Sequence, residues 1–253
     1  MTDNKTDFGF KRVNRKEKAS LVGKIFSNVA KKYDLMNDLM SVGAHRIWKN
    51  KMVDEIEFCD QNQSYKIVDV AGGTGDIAFR ITKKAQAKNV NAEIEIVDIN
   101  QEMLDEGKAR AVDFNLFNQI NFTISDGENL IFNDETFDFF TIAFGIRNFT
   151  NIDKGLQEAY RTLKKGGKFI CLEFSQINNY FLQKFYDVYS FNIIPKIGEI
   201  VLKDKNSYQY LVESIRKFPR QDAFKKMIED VGFKNVSYKN LSFGTVAIHI
   251  GYK

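Results

Sequence analysis

KIVDVAGGTGD, residues 66–76, is the stretch on which the fold prediction rests. Its first half is an apolar run rich in β-branched residues and broken by one acid, which is typical of a strand buried on both faces of a parallel sheet. Gly72, Gly73 and Gly75 follow, and glycines allow a tight turn and a close approach of the backbone to a ligand. An amphipathic run begins at Asp76. Strand, glycine turn and helix in this order predict the front half of a nucleotide-type binding unit.

Strand and helix patterns alternate beyond this unit. Strands are predicted at residues 92–97, 120–124, 137–144 and 169–174, and helices at 101–112 and 152–163. Such alternation is typical of an α/β fold with a mostly parallel sheet. Two last strands, 234–241 and 245–252, are joined by a short link and are therefore predicted to be antiparallel neighbours. We predict a seven-stranded sheet whose last strand is antiparallel.

The domain organisation follows from how composition changes along the chain. Residues 1–19 are polar and charged, so we predict a flexible tail there and a single domain over 20–253. A helical apolar stripe begins at Leu21, and we interpret 20–60 as an N-terminal helical cap. Residues 176–217 interrupt the alternation with an aromatic-rich segment. Because a structureless loop of that length is unusual, we interpret it as inserted helices that form a lid.

Composition disfavours several classes of function. The net charge of +4 comes from 37 basic and 33 acidic residues that are mixed along the chain, which disfavours nucleic acid as a partner. Cys59 and Cys171 are far apart and the chain has only 2 histidines, so we expect neither a disulfide nor a metal site. No signal peptide or membrane-spanning run is visible. We therefore expect a cytoplasmic protein, peripheral at most at the inner face of the membrane.

The glycine turn alone leaves its ligand open. Gly73, Gly75 and Ala78 satisfy the loose dinucleotide pattern GxGxx(G/A), and a purely structural turn is a further alternative. Asp69 and Asp76 flank the glycines, and carboxylates there would repel a pyrophosphate but suit the cationic methionine end of S-adenosylmethionine. An N-terminal helix cap is the alternative for Asp76.

Two further acids follow the next strands. Asp98 ends the second strand, where it could accept hydrogen bonds from both ribose hydroxyls. Asp126 and Gly127 follow the third strand, where a carboxylate could accept from the adenine amino group. An ordinary turn residue is the alternative for each acid.

Several motifs resemble known proteins. VDVAGGTGD, VDIN, SDGENLIF, FDFFTIAFGIRN and LKKGGKF resemble the class I methyltransferase series in order and spacing, with Ala71 in place of the usual first glycine. YDLMNDLMSVGAHRIWK, FGIRN, YDVYSFNIIPKIG and SYQYLVESIRKFP resemble, more specifically, the ubiquinone/menaquinone biosynthesis C-methyltransferases of the UbiE family. The similarity runs from about residue 8 to the C-terminus. It departs at Lys165, where proline is common, and at Ala143, where serine is common.

The resemblance implies a Rossmann-like class I methyltransferase fold, S-adenosyl-L-methionine as cofactor, and C-methylation of a polyprenylated benzoquinol and/or demethylmenaquinol. Another small-molecule methyltransferase and a catalytically silent cofactor-binding subunit of a quinone-biosynthesis complex are the alternatives. The family motifs imply cofactor contacts at Thr74, Asp98, Asp126 and Gly127. The full set of predicted cofactor-binding residues is Asp69, Gly73, Thr74, Gly75, Asp98, Ile99, Asp126, Gly127 and Ala143.

The attacking atom in the predicted reaction is a ring carbon, which is a weak nucleophile. A ring carbon attacks best from a reduced, deprotonated quinol, so a group that stabilises a phenolate or removes a proton is expected. We predict catalytic roles for Arg147 and His45, with a structural ion pair and a structural contact as the alternatives. Core packing is the alternative for the aromatic members of the predicted substrate set. That set is Tyr33, Asn37, Asn148, Tyr186, Asp187 and Tyr189.

The expected partners follow from the acceptor. A polyprenyl tail needs an apolar channel, which the lid and the first amphipathic helix could form. Basic residues near the N-terminus predict transient contact with a membrane surface, a solvated tail being the alternative. These residues are Lys11, Arg12, Arg15, Lys16 and Lys18. The aromatic lid could equally serve a homodimer or a quinone-biosynthesis complex.

Overall fold

The computed structural model describes residues 5–29, 37–38, 41–177 and 205–253. Two antiparallel strands and two helices come first: β1 (Lys5–Phe8), β2 (Lys11–Asn14), α1 (Arg15–Val29) and α2 (Ala44–Asp54). The first part of the main sheet follows, with β3 (Tyr65–Val70), α3 (Asp76–Ala87), β4 (Ala92–Asp98), α4 (Gln101–Asp113) and β5 (Ile120–Ile124). The remaining elements are β6 (Phe137–Ala143), α5 (Ile152–Thr162), β7 (Leu163–Phe174), α6 (Lys205–Lys217), α7 (Gln221–Val231), β8 (Lys234–Leu241) and β9 (Val246–Tyr252).

The main sheet has seven strands in the order β5-β4-β3-β6-β7-β9-β8. Strands β3 to β7 pair in parallel, whereas β9 runs antiparallel to both β7 and β8. The predicted fold class is therefore confirmed. The chain direction across the sheet reverses between β3 and β6, and ligands of open α/β sheets bind at the carboxyl ends of strands at such a point.

Both faces of the sheet are covered, because alternate residues of a strand point to opposite faces. Ile67 of β3 packs in one apolar cluster, together with residues of α2 and α3 such as Met52 and Ile81. Val68 and Val70 pack in a second cluster with residues of α5 and α7. The two clusters hold β3 in the centre of the molecule and fix the glycine turn that follows it.

The N-terminal segment differs from its prediction. A flexible tail over 1–19 is wrong for the described part of that range, because β1 and β2 form a hairpin and α1 already begins at Arg15. The Phe8 ring stacks on Tyr210 of α6 with 4.4 Å between ring centroids. The hairpin is thus held by a helix some two hundred residues later, a contact that local sequence pattern does not reveal.

The predicted lid is described only in part. Its last section is α6, whereas 178–204 lie outside the described residues. The lid, the helical cap and the single domain over 20–253 stay predictions. No helix in the described ranges is both long and apolar enough to cross a membrane.

Candidate active site

A cavity of about 390 Å³ lies at the carboxyl ends of β3, β4, β5 and β6. Pockets of a few hundred Å³ are the usual size of small-molecule sites. Residues of α1, among them Val22, Gly23 and Phe26, line its remaining side. All predicted cofactor-binding residues except Gly75 line this cavity, as does Asn148 of the predicted substrate set. The structure thus brings together residues that are spread over 80 positions of the sequence, from Asp69 to Asn148.

The glycine turn follows β3 and places its backbone against the cavity. Ala71, Gly73 and Gly75 all have positive φ, at 52°, 52° and 83°. Gly75 is the N-terminal cap of α3, and a Cβ there would lie 2.7 Å from the Phe79 ring. Gly75 therefore acts through the shape of the turn and does not line the cavity.

Asp98 connects the glycine turn to the next strand. Its Oδ2 accepts from the backbone N–H of Gly73 at 3.0 Å, and its Oδ1 accepts from that of Asn100 at 2.9 Å. Burial raises the pKa of Asp98 to about 6, although the backbone donors oppose the rise. A carboxylate has about four acceptor positions, so both oxygens can still accept from a pair of hydroxyls in the cavity.

Asp69 is a buried acid and the second-last residue of β3. Its Oδ1 accepts from Thr141 Oγ1 at 2.8 Å. The backbone N–H of Ala78 faces the carboxyl and opposes the rise of its pKa, while the buried Oδ2 meets no hydrogen-bond geometry with a group in the described part of the chain. Burial raises the pKa of this carboxyl to about 7. A buried polar atom without a partner costs free energy, so a donor or cation in the cavity would fit here.

Asp76 lies in an ion-pair cluster that the sequence reading missed. Its Oδ2 pairs with Lys49 Nζ at 2.7 Å and its Oδ1 with Arg80 Nε at 2.9 Å. Burial alone would raise the pKa of Asp76, but the two cations outweigh it and bring the pKa to about 2. Its side chain caps no helix, so the cap alternative is wrong, and its charge is balanced by protein cations before any ligand binds.

The opposite end of the cavity has an aromatic wall. The Phe149 ring lies between Gly127 and Gly155, and a Cβ on either glycine would overlap it. Asp126 lies beside this wall, and its Oδ1 accepts from the Glu128 backbone N–H at 2.9 Å. A flat apolar ring next to a carboxylate acceptor suits a purine base. Sequence reasoning missed Phe149 because its packing against two distant glycines has no local signal.

Helix α1 is attached to the cavity rim by Asn100. The side chain of this residue donates to the Gly23 carbonyl and to Ser27 Oγ, each at 3.1 Å. Its own Oδ1 caps α4 by accepting from the Met103 N–H at 3.2 Å. One side chain therefore joins the cofactor side of the sheet to the helix that covers it.

Arg147 forms a buried ion pair. Its Nη1 donates to Glu173 Oε1 at 2.9 Å and also to the Phe144 carbonyl. The side chain lines a second cavity, of about 240 Å³, next to the first. Asn148, its neighbour, accepts from the Tyr210 hydroxyl at 3.0 Å and lines the first cavity. The ion-pair alternative for Arg147 is present, and its catalytic role stays a prediction.

His45 is buried and lies outside the residues that line either cavity. Its Nε2 contacts Asp38 Oδ1 at 2.8 Å, and its Nδ1 has no partner among the described residues. Asn37 is half-buried and likewise lines neither cavity. Tyr33, Tyr186, Asp187 and Tyr189 lie outside the described residues. Across the described ranges, no cluster of His, Cys, Asp and Glu could hold a metal ion.

The fold is similar to those of solved methyltransferases. A SAM-dependent methyltransferase from Aquifex aeolicus matches with a TM-score of 0.56 and 15% identity, covering 80% of this chain and 88% of that one. A possible histamine N-methyltransferase from Thermotoga maritima matches with a TM-score of 0.58 and 21% identity, covering 91% and 99%. The [4+2]-cyclase SpnF matches with a TM-score of 0.65 and 15% identity, covering 92% of this chain and 94% of that one. At these identities the likeness shows the fold alone.

Sequence relatives are far closer. A protein of Rickettsia bellii (strain RML369-C) named "Ubiquinone/menaquinone biosynthesis C-methyltransferase UbiE" is 54% identical over 250 residues, 99% of each chain. A protein of the same name from Rickettsia rickettsii (strain Sheila Smith) is 53% identical over 249 residues, 98% of this chain and 99% of its own. The model of the ubiE/COQ5 methyltransferase family matches residues 12–253. This chain therefore belongs to the ubiE/COQ5 methyltransferase family.

Proposed function

We propose that this chain transfers the methyl group of S-adenosylmethionine to a ring carbon of a benzoquinol and/or a demethylmenaquinol in ubiquinone/menaquinone biosynthesis. The observation that carries the proposal is identity of 53–54% over 98–99% of the chain with proteins named for this C-methylation. Neither another methyltransferase class nor a silent subunit is favoured, because these relatives match from end to end.

The cavity fits the cofactor. S-adenosylmethionine supplies an electrophilic methyl group on a sulfonium, and it carries no phosphate. Asp69, with its unpartnered Oδ2, suits the ammonium group, Asp98 suits the ribose hydroxyls, and Asp126 beside Phe149 suits adenine. The cavity is lined by carboxylates, as expected for a cationic ligand without a pyrophosphate.

The protein must orient the acceptor, exclude water and handle one proton. We propose that Arg147 stabilises the phenolate or positions the water that takes the ring proton, since a guanidinium is too basic to act as the base. Its ion pair with Glu173 holds the guanidinium beside Asn148, which lines the cofactor cavity. Its Nε is buried and has no partner among the described residues, which leaves a donor for an acceptor oxygen or a water.

We further propose that His45 acts as a base or donates a hydrogen bond to a quinol oxygen. Burial lowers its pKa, although the contact with Asp38 opposes the shift. A neutral imidazole at pH 7 is the form that can accept a proton. Replacing His45 by glutamine with turnover unchanged would contradict this role.

Contact with a membrane surface stays a proposal, and fewer basic residues are available for it than the sequence suggested. Lys11, Arg12, Arg15 and Lys16 are exposed, whereas Lys18 is buried and donates to the Phe149 carbonyl at 2.7 Å. Lys18 is therefore removed from the proposed lipid-binding set. We expect a Lys11→Glu, Arg12→Glu variant to float less with anionic vesicles than the unaltered chain, and equal flotation would contradict the proposal. A homodimer or a quinone-biosynthesis complex is likewise still a prediction.

The function is tested by methyl transfer with the purified chain and radiolabelled S-adenosylmethionine. A demethylated benzoquinol and a demethylated naphthoquinol are offered in parallel, each in reduced and in oxidised form. We expect label to enter at least one reduced ring and neither oxidised ring, because only the quinol is electron-rich enough to attack. Transfer to neither ring, with the cofactor still bound, would support a silent subunit and reject the proposal.

A further inference from the structure

Lys49 is the buried lysine of the cofactor cavity. It belongs to α2, its side chain is 5% exposed, and it lines the cavity beside the glycine turn. The other cationic side chains that line the cavity within the described residues, Arg15, Lys16 and Lys154, are exposed. Lys49 is thus the cation that is fixed in position next to the methionine end of the expected cofactor.

The ion-pair cluster formed by Asp76, Lys49 and Arg80 has one more positive than negative charge. Asp76 carries one negative charge and pairs with two cations, Lys49 and Arg80. An ammonium group has three donors, and the described part of the chain provides Lys49 with one acceptor, Asp76. A buried ammonium with donors left over is costly unless a further acceptor reaches it.

The amino-acid end of S-adenosylmethionine is a zwitterion, so its site needs a cation as well as an anion. Among the described residues, Asp69 Oδ2 accepts no hydrogen bond and Lys49 Nζ donates to Asp76, and both side chains line the cavity. The positive charge of Lys49 also opposes the rise that burial causes in the pKa of Asp69. Asp69 and Lys49 would thus face the ammonium and the carboxylate that S-adenosylmethionine carries on its α-carbon.

We propose that Lys49 binds the carboxylate of the methionine moiety of S-adenosylmethionine and so selects cofactor molecules that carry this group. The inference rests on the family's cofactor and is independent of which quinol is methylated. Asp76 and Arg80 then position Lys49, because together they anchor α2 to α3 at the glycine turn.

The test is calorimetric binding to the purified full-length chain. S-adenosylmethionine is compared with decarboxylated S-adenosylmethionine, which lacks only the carboxylate. A charge-assisted hydrogen bond contributes enough for a change of about 10- to 100-fold in affinity. We expect Lys49→Met to weaken binding of S-adenosylmethionine by that factor and binding of the decarboxylated ligand by less than about threefold. Lys49→Arg keeps the charge and is expected to lose less than Lys49→Met.

Lys84→Met is the matched control. Lys84 also joins α3 to α2, donating to the Val53 and Asp54 carbonyls at 2.8 and 3.2 Å, but it does not line the cavity. The Lys84→Met variant should leave the affinities for S-adenosylmethionine and for its decarboxylated form unchanged. Should Lys49→Met fail to fold, Lys49→Met with Asp76→Asn removes both charges of the pair and keeps the comparison.

Equal losses for both ligands in the Lys49 variants would mean that Lys49 only supports the turn, and no loss would remove it from the site; either result overturns the inference. Binding of neither ligand by the unaltered chain would instead reject the cofactor assignment on which the proposed function depends.

Discussion

Asp69 shows how a single residue connects burial to function. It is a carboxylate in the interior of a parallel sheet, with one oxygen satisfied by Thr141 and the other left without a partner in the described residues. Such a group weakens the free protein, and it is retained where a ligand completes it. The sequence pattern predicted Asp69 from its place before the glycines, but its burial and its missing partner are visible only in the structure.

Asp69→Asn should change how stability depends on pH. Because burial raises the folded-state pKa from 3.8 to about 7, the folded protein keeps a proton that the unfolded chain releases, and stability falls as pH rises between these values. Between pH 5.5 and 7 this amounts to about 2 kcal/mol, at about 1.4 kcal/mol per pH unit. We expect unfolding measured at pH 5.5 and 8.5 to show this loss in the unaltered chain and to lack it in Asp69→Asn. The same pH dependence in both would contradict the account.

Substitutions in the ion pair of Arg147 and Glu173 distinguish a structural from a catalytic role of Arg147. Arg147→Met leaves Glu173 buried and unpaired, which should cost about 3–5 kcal/mol of stability. Arg147→Met combined with Glu173→Gln removes the unpaired charge and should regain most of that stability. We expect turnover to stay lost in the double variant while cofactor affinity is normal. Recovery of turnover together with stability would show that Arg147 acts only as a structural partner.

Lys49 is a cavity residue that the sequence did not predict. Asp98 and Asp126 could be predicted as candidates because each follows a strand whose end faces the ligand site, whereas Thr74 was implied by the family motif. The partner of Lys49 is Asp76, 27 residues later, and nothing in the local sequence joins them. The available signal was weak: a lysine directly after Trp48, one helical turn beyond His45.

At the scale of elements, the strands were predictable and the N-terminal hairpin was not. The predicted and observed bounds of β4, β5, β6 and β8 agree within one residue. For β6 the reason is that a buried parallel strand is an apolar run with polar ends. The hairpin is polar, and its order comes from α6: besides the Phe8 stack, the Phe10 N–H donates to Glu213 at 2.9 Å. Long-range contact overrides local propensity there.

Phe8→Ala should loosen this hairpin. The ring is partly buried and stacks on Tyr210, so its loss is expected to cost about 1–3 kcal/mol locally. Amide hydrogen exchange should become faster in β1 and β2 and stay unchanged in β3. Phe10→Ala is the matched control, because the Phe10 ring is 54% exposed. Unchanged exchange in Phe8→Ala would show that the stack does not hold the hairpin.

At the scale of the whole molecule, the sheet order decides where the chemistry occurs. The reversal between β3 and β6 brings the ends of four parallel strands to one cavity, so acids from distant positions of the sequence meet there. The meeting of most predicted cofactor-binding residues at one cavity was therefore predictable from sequence, and their contacts with the cofactor stay predictions. Tyr33, Tyr186, Asp187 and Tyr189 of the predicted substrate set lie outside the described residues and likewise stay predictions.

Fold alone does not decide the reaction, since a cyclase shares this architecture with the methyltransferases. The position of the new methyl group in the product distinguishes methyl transfer to carbon from transfer to oxygen. The full-length chain is incubated with S-adenosylmethionine labelled with ¹³C in the methyl group and a reduced, demethylated quinol, and the product is analysed by long-range carbon–proton NMR correlation. We predict a labelled methyl carbon bonded to a ring carbon that has lost its proton. A label bonded to oxygen would contradict the account.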